Sequence, residues 1–262
     1  MDAPQHTPLQ PSPHNPAAPL AQAMILAAGR GERMRPLTDR TPKPLLTVQG
    51  QPLMQWPMQA LGQGGFVRQL INTAWLGEQI PAHFGERVSW PGLPELQLVY
   101  SHEGRDFGQA LETAGGIVRA LPSLAEVFWV LAGDVFAPDF VFAPEALQRF
   151  AASPCTAHLW LVPNPAHNPG GDFGLSAKGQ VLNLPKGDLQ RRFTFSTIAL
   201  YKRAFFDPTI TGIAPGNPTG QAAALAPLLR AAMDRGDVSG EVYTGRWTDV
   251  GTPERLAQLN QS

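Results

Sequence analysis

The chain has 262 residues, 43% of them hydrophobic and 16% charged, with a formal net charge of −1. That length can bury the core of one large α/β domain or two small ones, and a near-neutral balance lacks the basic field that a nucleic-acid-binding surface needs. A single cysteine, Cys155, excludes an internal disulfide, six histidines without HExxH or paired spacing argue against a zinc site, and no apolar run approaches the roughly 20 residues of a membrane span.

Residues 1–22 are rich in proline, and the first 21 contain no lysine or arginine. Without a basic start and an apolar run they do not read as a signal peptide. Their composition predicts a disordered, partly extended tail ahead of one domain over 23–262, in a cytoplasmic protein. Strands are predicted at 23–27, 67–72, 96–101, 127–132 and 156–162, and helices at 52–63, 75–84, 112–121 and 143–151. Pro57 and Pro81 would each remove a helical hydrogen bond, so kinks or late starts are expected there. Residues 163–192, rich in Pro, Gly and Asn, read as an irregular functional lobe. Strand returns at 193–201, a helix is predicted over 220–236 ending at Gly236, and 241–251 reads as a short closing hairpin. A last helix follows with Thr252 as N-cap, Pro253 at N1 and Glu254 in its first turn. No internal repeat is present. The alternation predicts an α/β fold, a Rossmann-like mixed and mainly parallel sheet with helices on both faces, whose site lies at the carboxyl ends of the strands.

The first strand ends in a cluster of glycine and arginine, "MILAAGRGERMRPLT" over residues 24–38. The dinucleotide fingerprint GxGxxG fails there, because Met34 stands at the third glycine and no acidic residue follows at the needed distance. GxxxxGK[ST] fails because no Gly-Lys-Ser/Thr occurs. What remains is a glycine loop whose amides can wrap phosphates, with Arg33 behind it and Lys43 held between Pro42 and Pro44. Arg30 and Arg35 read as structural or rim charges. "LAGDVF" puts Gly133-Asp134 at a strand end, where a turn is an equal reading. "WTDVGTPERL" puts Asp249 before a helix, where a cap is the plain alternative. As a pair they would supply two hard carboxylates for Mg²⁺, an ion that takes few protein oxygens and completes its shell with phosphate and water.

These residues resemble the N-terminal signature of the sugar-1-phosphate nucleotidyltransferases, G-x-G-x-R-[ML]-x-P-x-T followed by P-K-P-L, filled here by Gly29, Gly31, Arg33, Met34, Pro36, Thr38, Pro42, Lys43, Pro44 and Leu45. The resemblance extends over about 23–260. It implies transfer of a nucleotidyl group from an NTP to a sugar 1-phosphate, giving an NDP-sugar and pyrophosphate. It implies Arg33 and Lys43 as the catalytic cations, and Ala28, Gly29, Gly31, Glu32, Arg33, Lys43, Glu112, Thr113 and Gly115 around the nucleotide. Gly115 and its neighbour Gly116 would let the nucleobase approach backbone. Mg²⁺ would sit on Asp134 and Asp249, and the sugar against Gly171, Asp172, Phe173 and Ser196. The stretches around 171–173, 193–197 and 239–256 resemble a branch that pairs UTP with N-acetylmuramate 1-phosphate in cell-wall sugar recycling. Guanylyl transfer to mannose 1-phosphate, thymidylyl transfer to glucose 1-phosphate, and a sensing relative without catalysis are the alternatives. Three departures stand out: Thr197 where glycine is expected, Ala132 where asparagine is expected, and a segment 103–112 that is longer than usual. A Glu-Lys-Pro sugar element is missing, and Lys186 is at most a weak stand-in for its lysine. The absence of any Ser-His-Asp or His-Glu constellation fits this chemistry: a phosphate monoester, with a second pKa near 6, attacks without a general base.

Overall fold

The structure, a computed structural model, describes residues 20–185 and 187–261. Most of the proline-rich segment and Lys186 lie outside them. In chain order the elements are β1 (Ala21–Ala27), β2 (Thr47–Val48), β3 (Gln51–Pro52), α1 (Gln55–Gln63), β4 (Arg68–Thr73), α2 (Gln79–Phe84), β5 (Arg87–Val88), β6 (Leu96–His102), α3 (Glu103–Phe107), α4 (Glu112–Ala120) and β7 (Leu124–Ala132). Then come β8 (Val135–Phe136), α5 (Pro144–Ala152), β9 (Ala157–Val162), β10 (Phe173–Leu175), β11 (Val181–Leu182), β12 (Arg192–Lys202), α6 (Pro208–Thr211), α7 (Leu225–Asp234), β13 (Val238–Val242), β14 (Thr248–Asp249) and α8 (Pro253–Gln261).

The heart of the sheet is the parallel row β7-β1-β4-β6. β12 adds antiparallel beside β7, β5 closes the other edge antiparallel to β6, and β9 and β13 form a parallel pair next to β12. This is the mixed sheet expected from the alternation. Side chains of β1 alternate across it with the period of two that a strand imposes. Ala23, Ile25 and Ala27 join the core beneath α1, α2 and α5, with Met58, Leu61, Ile80 and Phe150. Met24 faces the opposite core, with Ile117 and Val118 of α4 and Leu229 and Met233 of α7. A third, smaller core joins Met34, Val48, Leu53, Phe136, Val250 and Leu256. It fastens the arginine-rich turn and the last helix to the same end of the sheet.

Several boundaries differ from the sequence reading. β1 starts at Ala21, which pairs with Leu124, so the strand takes in the last two residues assigned to the tail. α1 and α2 do start late, with Pro57 and Pro81 as their third residues, where no intrahelical donor is needed. The lobe 163–192 is not wholly irregular: β10 and β11 extend the sheet from β12. The predicted 241–251 hairpin is absent. β13 pairs parallel with β9, and β14 pairs with β8. The helix predicted over 220–236 shortens to α7, ten residues beginning at Leu225. The reason is tertiary. Ala223 O accepts from Ala114 N and Gly115 N at 2.9 and 3.1 Å, and Ala223 N donates to Leu111 O at 3.0 Å. The segment ahead of α7 thus satisfies the free amides at the start of α4, which overrides the helix propensity of an alanine-rich stretch.

At the centre of the core beneath α1 and α5, Trp129 of β7 is fully buried against Phe66, Phe142 and Trp160, with ring centroids 6.1, 5.1 and 4.8 Å away. Replacing it leaves a cavity that rigid neighbours cannot close. Trp129→Ala is expected to lose about 3–5 kcal/mol of stability, read from urea denaturation; a loss below 1 kcal/mol would contradict this packing.

Candidate nucleotide and metal site

Four parallel strands end level with one another, since Ala27 pairs with Thr73, Thr73 with His102, and Leu26 with Ala132. At these ends opens a cleft of about 340 Å³, lined among others by Gly29, Gly31, Glu32, Arg33, Lys43 and Asp134. The glycine loop leaves β1 and turns at Gly31, whose φ of 66° is the left-handed region that favours glycine. A side chain at Gly31 would also meet Thr38 Cγ2 at 3.1 Å and Lys43 Cβ at 3.3 Å. Thr38 donates to Gly31 O at 2.9 Å. Met34, fully buried in the small core, anchors the turn and leaves Arg33 exposed.

Among the described residues Arg33 makes no ion pair or hydrogen bond. The neighbouring arginines are occupied: Arg30 lies 4.2 Å from the centroid of the Trp75 ring, and Arg35 pairs with Asp39 at 2.8 Å. Trp75 donates its indole N–H to Thr38 O at 2.8 Å, bracing the loop from its rim.

Lys43 is buried and its Nζ lies 2.5 Å from Asp134 Oδ2. Gly133 makes that approach possible, because its N donates to Leu26 O at 2.8 Å and an added Cβ would stand 3.1 Å from the same oxygen. Asp249 comes next to Asp134 through the β8–β14 ladder: Asp249 pairs with Val135, and Val250 N donates to Asp134 O at 3.0 Å. Two aspartates about 115 residues apart in sequence thus become neighbours. Arg255 Nη1 reaches Asp249 Oδ2 at 2.6 Å. His167 Nε2 stands 2.8 Å from Asp249 Oδ1 without hydrogen-bond alignment, and that buried oxygen has no aligned partner among the described residues. Two hard carboxylates, one with an orphaned buried oxygen, fit a divalent cation that completes its shell with phosphate and water. Among the described residues no group of three or more histidine, cysteine, aspartate or glutamate side chains is arranged to hold a metal ion.

The remaining predicted site residues divide. Ala28 is buried directly behind Gly29. Glu112 is exposed and Thr113 half-buried at the start of α4, outside the cleft lining, and Glu112 adopts φ 55°, a strained value for a residue with a side chain. Gly115 and Gly116 are both closely packed. A Cβ on Gly115 would stand 2.5 Å from Gln221 O, and one on Gly116 2.5 Å from Glu103 Oε1. The long segment 103–112 is filled by α3, tied down by Asp106 to Arg119 at 2.6 Å.

The four predicted sugar residues are likewise engaged inside the fold. Phe173 and Ser196 are buried, and Ser196 donates to Trp160 O at 2.6 Å and accepts from Ile198 N at 3.1 Å. Asp172 accepts from Phe195 N at 2.8 Å and from Asn168 at 3.2 Å. Gly171, at φ 61°, has Asn164 Oδ1 2.7 Å from where a Cβ would be. These residues shape the 163–172 loop, which carries His167 to Asp249, and do not present free side chains. Thr197 has φ 65° within a bulge of β12, which explains why glycine is expected there.

Sequence reasoning missed His167, Arg255 and a buried pair, Asn72 and Glu103. Asn72 Oδ1 accepts from Ala27 N at 2.9 Å, and Asn72 Nδ2 donates to Glu103 Oε1 at 2.7 Å. Glu103 Oε2 accepts from Leu111 N at 2.8 Å. Burial pushes the Glu103 carboxyl up, against the lowering by the Leu111 amide, Asn72 and Arg119. Arg255 stands within the WTDVGTPERL stretch, where its place beside Asp249 is readable; the other three carry no motif, and only the folded register joins them.

A glycine-walled anion cleft at the ends of parallel strands, with free and buried cations beside paired carboxylates, defines a phosphate-handling α/β protein. A family model for nucleotidyl transferases matches residues 22–262, and the chain belongs to that family. It is 45% identical over 240 residues to the N-acetylmuramate alpha-1-phosphate uridylyltransferase of Neisseria meningitidis, covering 90% of this chain and 96% of that one. It is 30% identical over 244 residues to the protein of the same name in Caulobacter vibrioides, covering 88% and 92%. A crystal structure from Bacillus anthracis, bearing the name glucose-1-phosphate thymidylyltransferase, shares the fold with a TM-score of 0.72 at 19% identity, covering 92% of this chain and 94% of that one.

The two cations differ in what they do for stability. Arg33→Ala is expected to stay within about 0.5 kcal/mol of the parent, as for an unengaged surface residue. Lys43→Ala is expected to lose about 1–3 kcal/mol by leaving Asp134 without its partner. Equal losses in thermal or urea denaturation would contradict the difference in engagement.

Proposed function

We propose that the protein transfers the uridylyl group of UTP to N-acetylmuramate 1-phosphate, releasing pyrophosphate, and so serves cell-wall sugar recycling in the cytoplasm. The transferase domain runs from β1 to α8. The observation that carries the reaction class is the juxtaposition of unengaged Arg33, buried Lys43 and the Asp134–Asp249 pair around one glycine-walled cleft. The choice of base and sugar rests on the two relatives that bear this activity's name and match nearly end to end.

In this reading the amides of Gly29–Arg33 and the planar fork of Arg33 take the β- and γ-phosphates. Lys43 leaves Asp134 to meet the α-phosphate, and Glu112 and Thr113 lie toward the base. Asp134 and Asp249 hold Mg²⁺, which when bound offsets the negative charge of the two facing phosphates. The sugar phosphate is already a dianion at neutral pH, so this chain's residues have to position and neutralise and need not remove a proton.

Loss of one such cation typically lowers turnover on the order of 10²–10³-fold. That is the expected fall in kcat for Arg33→Ala and for Lys43→Ala, and unchanged kcat in either folded variant would overturn their assignment. Pyrophosphate release should be greatest with UTP and N-acetylmuramate 1-phosphate across a grid of UTP, dTTP, GTP and CTP against several sugar 1-phosphates, and chelation of divalent cations should abolish it. Preference for GTP with mannose 1-phosphate, or dTTP with glucose 1-phosphate, would retain the mechanism and replace the substrates. Silence from folded protein that still binds UTP would favour a sensor.

A further inference from the structure

Among the described residues Glu103 is the sole fully buried carboxylate, and the proposed reaction makes no use of it. Burying a charge is costly unless every lone pair that matters is bonded. Here both oxygens face donors, Asn72 Nδ2 at 2.7 Å and Leu111 N at 2.8 Å. A side-chain amide could satisfy only one of them, since its NH₂ would oppose the other donor. The fold also clears space for the carboxylate, because any Cβ on Gly116 would stand 2.5 Å from Glu103 Oε1 and 3.0 Å from Asn72 Nδ2.

The two ends of this hydrogen-bonded line are informative. One is Ala27 N, where β1 gives way to the glycine loop. The other is Leu111 N, immediately before Glu112 with its left-handed φ of 55°. We infer that Glu103 is a positioning residue that, through Asn72 and the Leu111 amide, holds the Glu112–Thr113 turn in register with the Ala28–Gly31 loop, so that the two ends of a nucleoside triphosphate are bound as one unit. The inference rests on the nucleotide reading above. Neither Glu103 nor Asn72 touches the reacting atoms; each acts by fixing the spacing of the two segments.

A reciprocal exchange tests it. In Glu103→Gln one donor is left facing another, and the Kd for UTP, by titration calorimetry, should rise about tenfold, the effect of losing roughly 1.4 kcal/mol of a charged hydrogen bond. The KM for the sugar 1-phosphate should stay within about threefold. In the Asn72→Asp/Glu103→Gln double variant the bonds re-form with their polarity exchanged. The new carboxylate accepts from Ala27 N and from the new amide, whose oxygen accepts from Leu111 N. UTP affinity should return to within about threefold of the parent. An unchanged UTP Kd in the folded single variant, or a double variant no tighter than the single, would overturn the inference. Should the single variant not fold, the double variant alone decides: a UTP Kd still tenfold weaker than the parent's counts against it. Should neither fold, hydrogen exchange of the parent decides. UTP then slows Ala27–Gly31 and Leu111–Thr113 together if the two segments act as a unit, and protection confined to one segment overturns it. Binding of UTP without pyrophosphate release would defeat the transferase reading alone, and failure of the parent to bind UTP would defeat both.

Discussion

The site depends on one constraint, the hydrogen-bonded register that brings β1, β4, β6 and β7 to a common finish. A slip of one residue in any of these pairings would turn every side chain of that strand to the other face. The chemistry leaves from their ends: the glycine loop from β1, Asn72 within the last turn of pleat in β4, Glu103 just past β6, and Gly133-Asp134 just past β7. Gly133 matters because the backbone of β7 there lies against Leu26 O, so that Asp134 emerges beside Lys43.

Charge around the cleft is largely neutralised from within. Asp134 has Lys43, and Asp249 has Arg255 with His167 alongside. Arg33 is the exception, held out by its buried neighbour Met34. Such an arrangement keeps carboxylates and cations close without collapse; in the proposed reaction an arriving polyanion would exchange partners with them, a smaller reorganisation than building the site afresh. Backbone strain is placed at the margins: Glu112 and Thr197 both take left-handed φ values that side chains disfavour, one at the α4 entrance and one in the β12 bulge.

The sequence is most legible where local chemistry dictates geometry. Alternating apolar residues in β1 and β7 mark strands whatever surrounds them, and Pro57 and Pro81 require a kink or a late helix start, the latter being what the fold adopts. It is least legible where a distant segment outcompetes a local preference. Residues 220–224 read as helix because alanine favours it, yet they stay outside α7 because Ala223 closes the open amides of α4. Gly115, Phe173 and Ser196, which the resemblance assigns to the site, spend their contacts inside the fold.

By itself the sequence determined the class of fold, the glycine loop with Arg33 and Lys43 beside it, and the two carboxylates at 134 and 249, because each is written in contiguous residues whose types restrict backbone and charge. Only the tertiary structure decided that Lys43 is the counterion of Asp134, that Asp249 lies one ladder step away with His167 and Arg255 on it, and that Asn72 and Glu103 tie the β1 end to the α4 entrance. Apart from Arg255–Asp249 and Glu103–Leu111, which are six and eight positions apart, those contacts join residues 31 to 115 positions apart. Nothing local favours them, and they exist because parallel strands deliver their ends, and whatever follows, to one edge of the sheet.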